Sequence, residues 1–358
     1  MLAKRKTITH PTIGKIELPL LIPAFSSKGF TFLEEGRGKK KKEYSELANA
    51  LYQFCQYKWP IVLISAYDLY FKHFISPKLP IRKVSDYLKT TDIVMIDSGG
   101  YELMKEFDST EIKRYMYNPK EGFSKEEYIT ILDKVVSGKN NPCLIISNFD
   151  YEVRGFPLDV QIKKARELFN RYRDCMSNFI IKPLTEDSNY VDPSRISNSD
   201  FKNLNGFDMI GVTEKDLGKD LMKRLRRITE LRVGLNNSSL EAPIHIWGGL
   251  DPIITPLYFF AGAEIFDGVS WLRYAYFNGI AVNRECHLVL NPQRGISTSH
   301  ELNHAFAGLD NLSFLDNLTS NLQSWVDLEG KDFTMFNENV REYLKNAYNI
   351  MKTKIKNI

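Results

Sequence analysis

Nowhere in the 358 residues do ~18 apolar residues follow one another, so no membrane-spanning helix is expected. The N-terminus is basic but lacks the uninterrupted apolar stretch of a secretory leader. Cysteine is scarce: Cys55, Cys143, Cys175 and Cys286 stand far apart and form no CxxC or comparable pair. That spacing argues against a disulfide framework and a local zinc knuckle, and makes a reducing cytoplasm the expected compartment. Charge of one sign is not in excess, since 48 basic residues face 44 acidic ones, and the net of +4 does not by itself imply nucleic acid. Internal repeats, low-complexity tracts and an interdomain linker are also missing. A single soluble cytoplasmic unit spanning 1–358, with no membrane partner, is the expectation.

What is present is an ordinary globular composition, 43% hydrophobic, which excludes a disordered chain. Eight strand-like apolar runs recur: Leu20 to Phe25, Ile61 to Ala66, Ile93 to Asp97, Cys143 to Phe149, Phe179 to Leu184, Phe207 to Val212, Ile244 to Trp247 and Ile265 to Val269. Helical spacings lie between them at Tyr44 to Tyr57, Lys125 to Val136, Leu158 to Cys175 and Lys215 to Arg232. Strands alternating with helices predict a parallel sheet, and eight such units predict a closed (β/α)8 TIM barrel of the α/β class. An open doubly wound sheet is the runner-up, but its GxGxxG turn after the first strand is missing. Two stretches exceed what the barrel needs, about 27–43 and 100–141, and read as active-site loops or insertions. A helical C-terminal extension is expected at about 285–358, with a helix over Asn337 to Lys356. Basic clusters at Lys4 to Lys6, Lys39 to Lys42, Lys223 to Arg227 and Lys352 to Lys356 read as solvated faces or phosphate-tracking patches.

A barrel of this kind carries its site at the C-terminal ends of its strands. The residues there are Tyr67 and Asp68, Asp97 and Ser98, Asn148 and Asp150, Lys182, Thr213 and Glu214, Trp247 to Gly249, Asp267, and Arg273 just beyond. The stretch DIVMIDSGGYE, Asp92 to Glu102, reads as a doubly buried strand that delivers one carboxylate into a glycine turn. A lone loop aspartate is more often a cap than a catalyst. Asp97, Asp150 and Asp267 at equivalent strand ends, with Tyr101 and Trp247 nearby, instead suggest chemistry on a flat heterocycle.

The chain resembles the tRNA-guanine transglycosylase superfamily, which exchanges a guanine for a 7-deazaguanine base, and is closest in kind to its DNA-acting relatives. The resemblance runs in order through THPTIGKIELPLLIPAF, ISAYDLYF (Ile64 to Phe71), DSGGYE and FDGVSWLRYA (Phe266 to Ala275). It implies that Asp267 is the nucleophile at C1′ and Asp97 the general acid/base. It places Asp150 on the base edge, Tyr101 and Trp247 on the two base faces, and Ser98, Gly99, Gly100, Lys182 and Gly248 around the base. Arg273 would support the sugar-phosphate or the nucleophile. A carboxylate suits the step because the sugar becomes oxocarbenium-like as its base departs. The target must be flipped out or single-stranded.

Departures from the family pattern redirect the expectation. Members acting on tRNA carry a Cys-x-Cys-x-x-Cys…His zinc site, where this chain keeps only Cys286 and has Asp310 at the histidine position. No metal and no cofactor are therefore expected, and DNA is favoured over tRNA. Lys182 stands where the family has a purine-contacting glutamine, so a modified base and hydrolysis compete with exchange against a free 7-deazaguanine. The resemblance also implies a homodimer. Two other classes compete: a zinc hydrolase, because His300 to His304 fits HExxH, and a non-catalytic nucleic-acid binder. HExxH needs a helix to align its histidines, and no apolar helix of typical length is expected around it.

Overall fold

The computed structural model describes residues 2–10, 12–28, 30, 32–35, 42–76, 79–80, 91–104, 119–138, 143–294 and 297–356, excepting the side chains of 32–35, 42–45, 294, 300 and 301. Its strands are β1 (Thr7–His10), β2 (Gly14–Glu17), β3 (Leu20–Phe25), β4 (Phe32–Glu35), β5 (Lys42–Ser45), β6 (Ile61–Ser65) and β7 (Ile93–Asp97). There follow β8 (Cys143–Ser147), β9 (Met176–Ile181), β10 (Met209–Thr213), β11 (Ile244–Trp247), β12 (Ile265–Gly268), β13 (Tyr274–Phe277) and β14 (Ile280–Asn283). β3 and β6 to β12 pair in parallel, each with its neighbour in sequence, and β12 closes onto β3. The eight-stranded barrel is the one that the apolar runs predict, because strands buried on both faces need no polar alternation.

Side chains alternate across each strand, so one set points outward to the helices and the other fills the barrel. The inner set is apolar low down, with Ile61, Ile93, Cys143, Met176, Met209 and Ile265 in one buried cluster. Ile8, Ile16 and Leu18 of the β1–β2 hairpin and its exit join that cluster, so the hairpin closes the N-terminal end. Higher up the inner set turns polar: Ser65, Asp97, Ser147, Asn178, His245 and Asp267 are all buried. The site is therefore set at the upper end of a dry interior.

Helices form largely where predicted. Lys125–Val136 carries a capping box between Ser124 and Glu127. The Lys215 to Arg232 pattern becomes a short 3-10 turn, Glu214–Leu217, and a helix over Leu221–Asn237 capped by Asp220 on the Lys223 N–H at 2.8 Å. The break falls at Gly218, whose φ of +137° no helix accommodates. Residues 27–43 include most of the β4–β5 hairpin, while the stretch at 100–141 holds the Gly100–Leu103 turn of helix and Lys125–Val136. Among the described residues no helix is long and apolar enough to cross a membrane.

The C-terminal extension over about 285–358 is helical, as expected, and only the reading around the HExxH pattern is corrected. A 28-residue helix, His300–Asp327, surrounds the HExxH pattern where no such helix was expected. It packs on β3, on the Glu46–Gln56 helix and on β13, and so covers the seam where the barrel closes. The Glu338–Lys354 helix lies against Ile254–Phe260, and Trp325 joins them through Phe260, at 4.1 Å between ring centroids, and Tyr348. Asn311, fully buried, fixes the long helix to the turn after β12. Its Oδ1 accepts from the Tyr276 N–H (2.6 Å), and its Nδ2 donates to the carbonyls of Trp271 (2.6 Å) and Tyr274 (2.8 Å). Asn311→Ala strands three buried backbone groups and is expected to cost about 2–4 kcal/mol in urea unfolding. A loss of less than about 0.5 kcal/mol, the range of an ordinary surface substitution, would remove this anchor from the account.

Candidate active site

Asp97 ends β7, opposite Ser65 in the β6–β7 ladder, and its carboxyl faces up the barrel. Gly99 follows with φ +88°, and a Cβ there would come within 2.7 Å of the Tyr67 Cβ. A Cβ on Gly100 would come within 3.0 Å of the Asp150 Oδ1. The two glycines thus admit neighbouring side chains of the protein itself, which is why DSGGY can turn inside the mouth. Burial pushes the Asp97 pKa well above the usual carboxylate range, and the charges of Glu102, Asp150 and Asp267 add to the effect. One N–H, from Gly99 at 3.3 Å, works the other way.

Glu102, to which the sequence reading gave no role, belongs to this cluster. It is buried, with the Ser26 hydroxyl on Oε1 and the Ser65 hydroxyl on Oε2 at 2.9 Å. Burial and then the nearby Asp68 push its pKa up to about 7, against the opposing hydroxyls. Asp68 faces inward to the protein, accepting from the Ser27 N–H (2.8 Å) and pairing with His73 Nδ1 (2.8 Å).

Asp150 is committed on both oxygens. Ser98 Oγ donates to Oδ1 at 2.6 Å, and the Lys182 ammonium sits 2.7 Å from Oδ2. Lys182 also reaches Asp216 at 3.2 Å, and Asp216 accepts from Thr213 Oγ1 (2.6 Å) and Arg154 Nη1 (2.8 Å). Burial works to lower the Lys182 pKa, but Asp150 and Asp216 overcome it and hold the ammonium charged, above the ordinary lysine value. The Asp216 pKa is in turn below the usual range, because Lys182, Thr213 and Arg154 outweigh its burial.

Asp267, from β12, accepts two N–H donors on the same oxygen. His245 Nε2 lies 3.0 Å and the Gly248 N–H 3.1 Å from Oδ1. Trp247 lies against the His245 ring, 4.3 Å between centroids at 31°. Tyr101, on the turn after DSGG, has the Lys28 ammonium 4.4 Å and the Lys215 ammonium 5.4 Å from its ring centroid. Lys28 is buried and also donates to the carbonyls of Tyr101 (3.0 Å) and Met104 (2.8 Å). Arg273 donates to the Lys28 carbonyl at 2.7 Å and meets the Tyr101 hydroxyl at 3.5 Å, so it ties the two segments together.

Asp97, Asp150 and Asp267 therefore do share one mouth, close enough for their charges to act on one another. Two other strand-end residues are spent on structure. Asn148 pairs with the backbone of Ile180 on the neighbouring strand, and Glu214 takes Tyr258 Oη (2.5 Å) and Arg224 (2.8 Å). Sequence reasoning missed His245, Asn178, Asp216 and Glu102. Inward parity along β9 and β11 marks the first two, and Glu102 closes the DSGGYE motif.

At the former metal candidates, His287 Nδ1 meets Asn303 Oδ1 at 3.0 Å and its Nε2 meets Asp310 Oδ2 at 2.8 Å, while Cys286 is exposed. Asp310, at the position read as the zinc histidine, thus bonds to the neighbour of Cys286. The HExxH pattern opens the His300–Asp327 helix; the side chains of His300 and Glu301 lie outside the described residues, and His304 Nε2 is 3.8 Å from Glu285. Among the described residues no group of three His, Cys, Asp or Glu could hold a metal ion. Comparison with protein-family models and with curated proteins returns no match to this chain.

Glu102 makes stability depend on pH in a direction opposite to most carboxylates. Its folded pKa is about 7 against 4.5 unfolded, so its contribution is full below 4.5 and is lost as pH rises through 7. Glu102→Gln keeps the serine contacts and removes this titration. Between pH 5 and pH 8 the variant is expected to lose about 2.5 kcal/mol less stability than the parent, read from urea unfolding at each pH. Parallel pH profiles would show that Glu102 stays ionised in the fold.

Proposed function

We propose that the chain is an N-glycosyl transferase or hydrolase that displaces a base from nucleic acid, with DNA favoured over tRNA. The observation that carries this reading is a pair of carboxyls at one mouth in opposed environments. Asp97 is driven toward its protonated form by burial and neighbouring acids, while Asp267 accepts two N–H donors on one oxygen. Carboxyls held in such unlike surroundings suit a division of labour between acid and nucleophile.

In the first step the Asp267 carboxylate forms a bond to C1′ as the C1′–N bond breaks. The bonding pair leaves with the base, and the Asp97 proton neutralises it. In the second step Asp97, now a base, takes the proton from an incoming 7-deazaguanine or a water, whose attack on C1′ frees Asp267. Exchange and excision share the first half. Negative charge beside C1′ stabilises the cationic sugar in both.

The base edge departs from what an exposed carboxylate would offer, because Asp150 is already neutralised by Lys182 and bonded to Ser98. That supports a modified base over plain guanine. Lys215, Lys219 and Lys223 are exposed just beyond the C-terminal end of β10, on the same end of the barrel, where they can meet phosphates.

Incubation with duplex DNA, single-stranded DNA and tRNA, followed by mass spectrometry, should reveal the released base and a covalent adduct. Asp267→Asn is expected to abolish release while nucleic-acid binding persists, and Asp97→Asn to slow it about 10²–10⁴-fold. Undiminished release by purified Asp267→Asn would overturn the nucleophile assignment. Binding without release from any substrate would favour a non-catalytic binder.

A further inference from the structure

The deepest polar residues of the barrel form a chain that ends on Asp267. β9, β10, β11 and β12 are consecutive neighbours, and their inward residues at this level are Asn178, Gly211, His245 and Asp267. Asn178 and His245 stand on strands separated by β10, yet Asn178 Nδ2 reaches His245 Nδ1 at 2.7 Å. They meet because Gly211, between them, has no side chain: a Cβ there would lie 2.7 Å from Asn178 Oδ1 and 2.5 Å from Trp247 Nε1. Asn178, His245 and Asp267 are all buried, so no bulk water competes for these contacts.

The chemistry of the donors fixes the proton. An amide nitrogen only donates, so His245 Nδ1 must accept and the imidazole proton must reside on Nε2. Asn178 Nδ2 also faces Met209 Sδ, a weak acceptor, at 3.6 Å, which agrees with that amide orientation. The Nε2–H then points at Asp267 Oδ1, and the Gly248 N–H joins it on the same oxygen.

We propose that His245 is a positioning residue for Asp267: neutral, held as the Nε2–H tautomer by Asn178 across Gly211, it fixes Oδ1 and so presents Oδ2 as the oxygen that attacks C1′. This rests on the proposed glycosyl-transfer reading of Asp267. Oδ2 forms the bond to C1′ as the C1′–N pair departs with the base, and the His245 proton stays where it is. A neutral donor orients the carboxylate without supplying the full positive charge that would blunt it as a nucleophile. The Trp247 ring, packed against the imidazole at a tilt of 31°, limits its rotation.

The proton's location can be read without any activity. In protein labelled with ¹⁵N-histidine, two-dimensional ¹⁵N–¹H spectra at neutral pH should show His245 protonated on Nε2 alone, its resonance assigned by its loss in His245→Gln. Asn178→Asp replaces the donor by an acceptor and should move His245 to the doubly protonated form. An Nδ1–H or cationic His245 in the parent protein would overturn the proposal, whatever the enzyme does. On the substrate found to release a base, His245→Phe should lower the rate of base release about 10–100-fold, the scale of lost supporting contacts. His245→Gln, which keeps an N–H toward Asp267, should restore most of it with KM unchanged. Equal rates in the Phe and Gln variants would also sink the idea, leaving His245 as packing. Should no substrate release a base, the glycosyl-transfer reading fails while the spectra still decide the tautomer.

Discussion

Carboxyl groups crowded into a water-poor mouth cannot all carry charge at neutral pH, and the upper half of this barrel is arranged around that constraint. Each acid is given a different answer. Asp150 and Asp216 share the buried ammonium of Lys182, and Glu102 receives two hydroxyls. Asp267 is met by two N–H groups on one oxygen, and Asp97 has one long N–H contact among the described residues, so burial and its acidic neighbours hold its pKa well above the usual carboxylate range. On the proposed glycosyl-transfer reading, a cation beside every acid would leave no group able to give a proton or attack a carbon, so the uneven distribution of partners is what that reading needs.

The barrel supplies the conditions for this. Its lower interior is packed with Ile, Met and Cys and sealed by the β1–β2 hairpin, so the acids stand over low-dielectric material rather than over a water channel. Small residues in the upper layer create the reach between strands. Gly211 lets Asn178 meet His245, and Gly99 and Gly100 let the DSGG turn pass beside Tyr67 and Asp150. Lys28 and Arg273 then bind the Tyr101 segment to the turn after β3 and to the far side of the barrel. The mouth is thus held by long basic side chains that bond to backbone carbonyls as well as to acids.

Much of the fold was legible because a parallel barrel writes strands as apolar runs, and all eight runs became barrel strands in sequence order. The long helix at His300–Asp327 was legible only as part of a helical C-terminal extension and not as one helix around the HExxH pattern, for a physical reason. Asn303 and Asn311 are fully buried on it and serve His287 and the β13 turn, so polar residues interrupt the apolar stripe that marks a packed helix. The Lys215 to Arg232 pattern likewise concealed a break, since the positive φ of Gly218 separates the 3-10 turn that carries Asp216 to Lys182 from the helix that follows.

The sequence by itself determined the strand count, the inward parity and the presence of Asp97, Asp150 and Asp267 at strand ends, because those follow from local alternation and from where apolar runs stop. Only the tertiary structure decided which partner each acid takes. The donor or charge arrives from another strand, far off in the chain: Lys182 for Asp150, Ser26 for Glu102, His245 for Asp267. Burial decides the rest, since a carboxyl that would be a solvated charge on a loop has its pKa raised when its neighbours are acids and water is excluded.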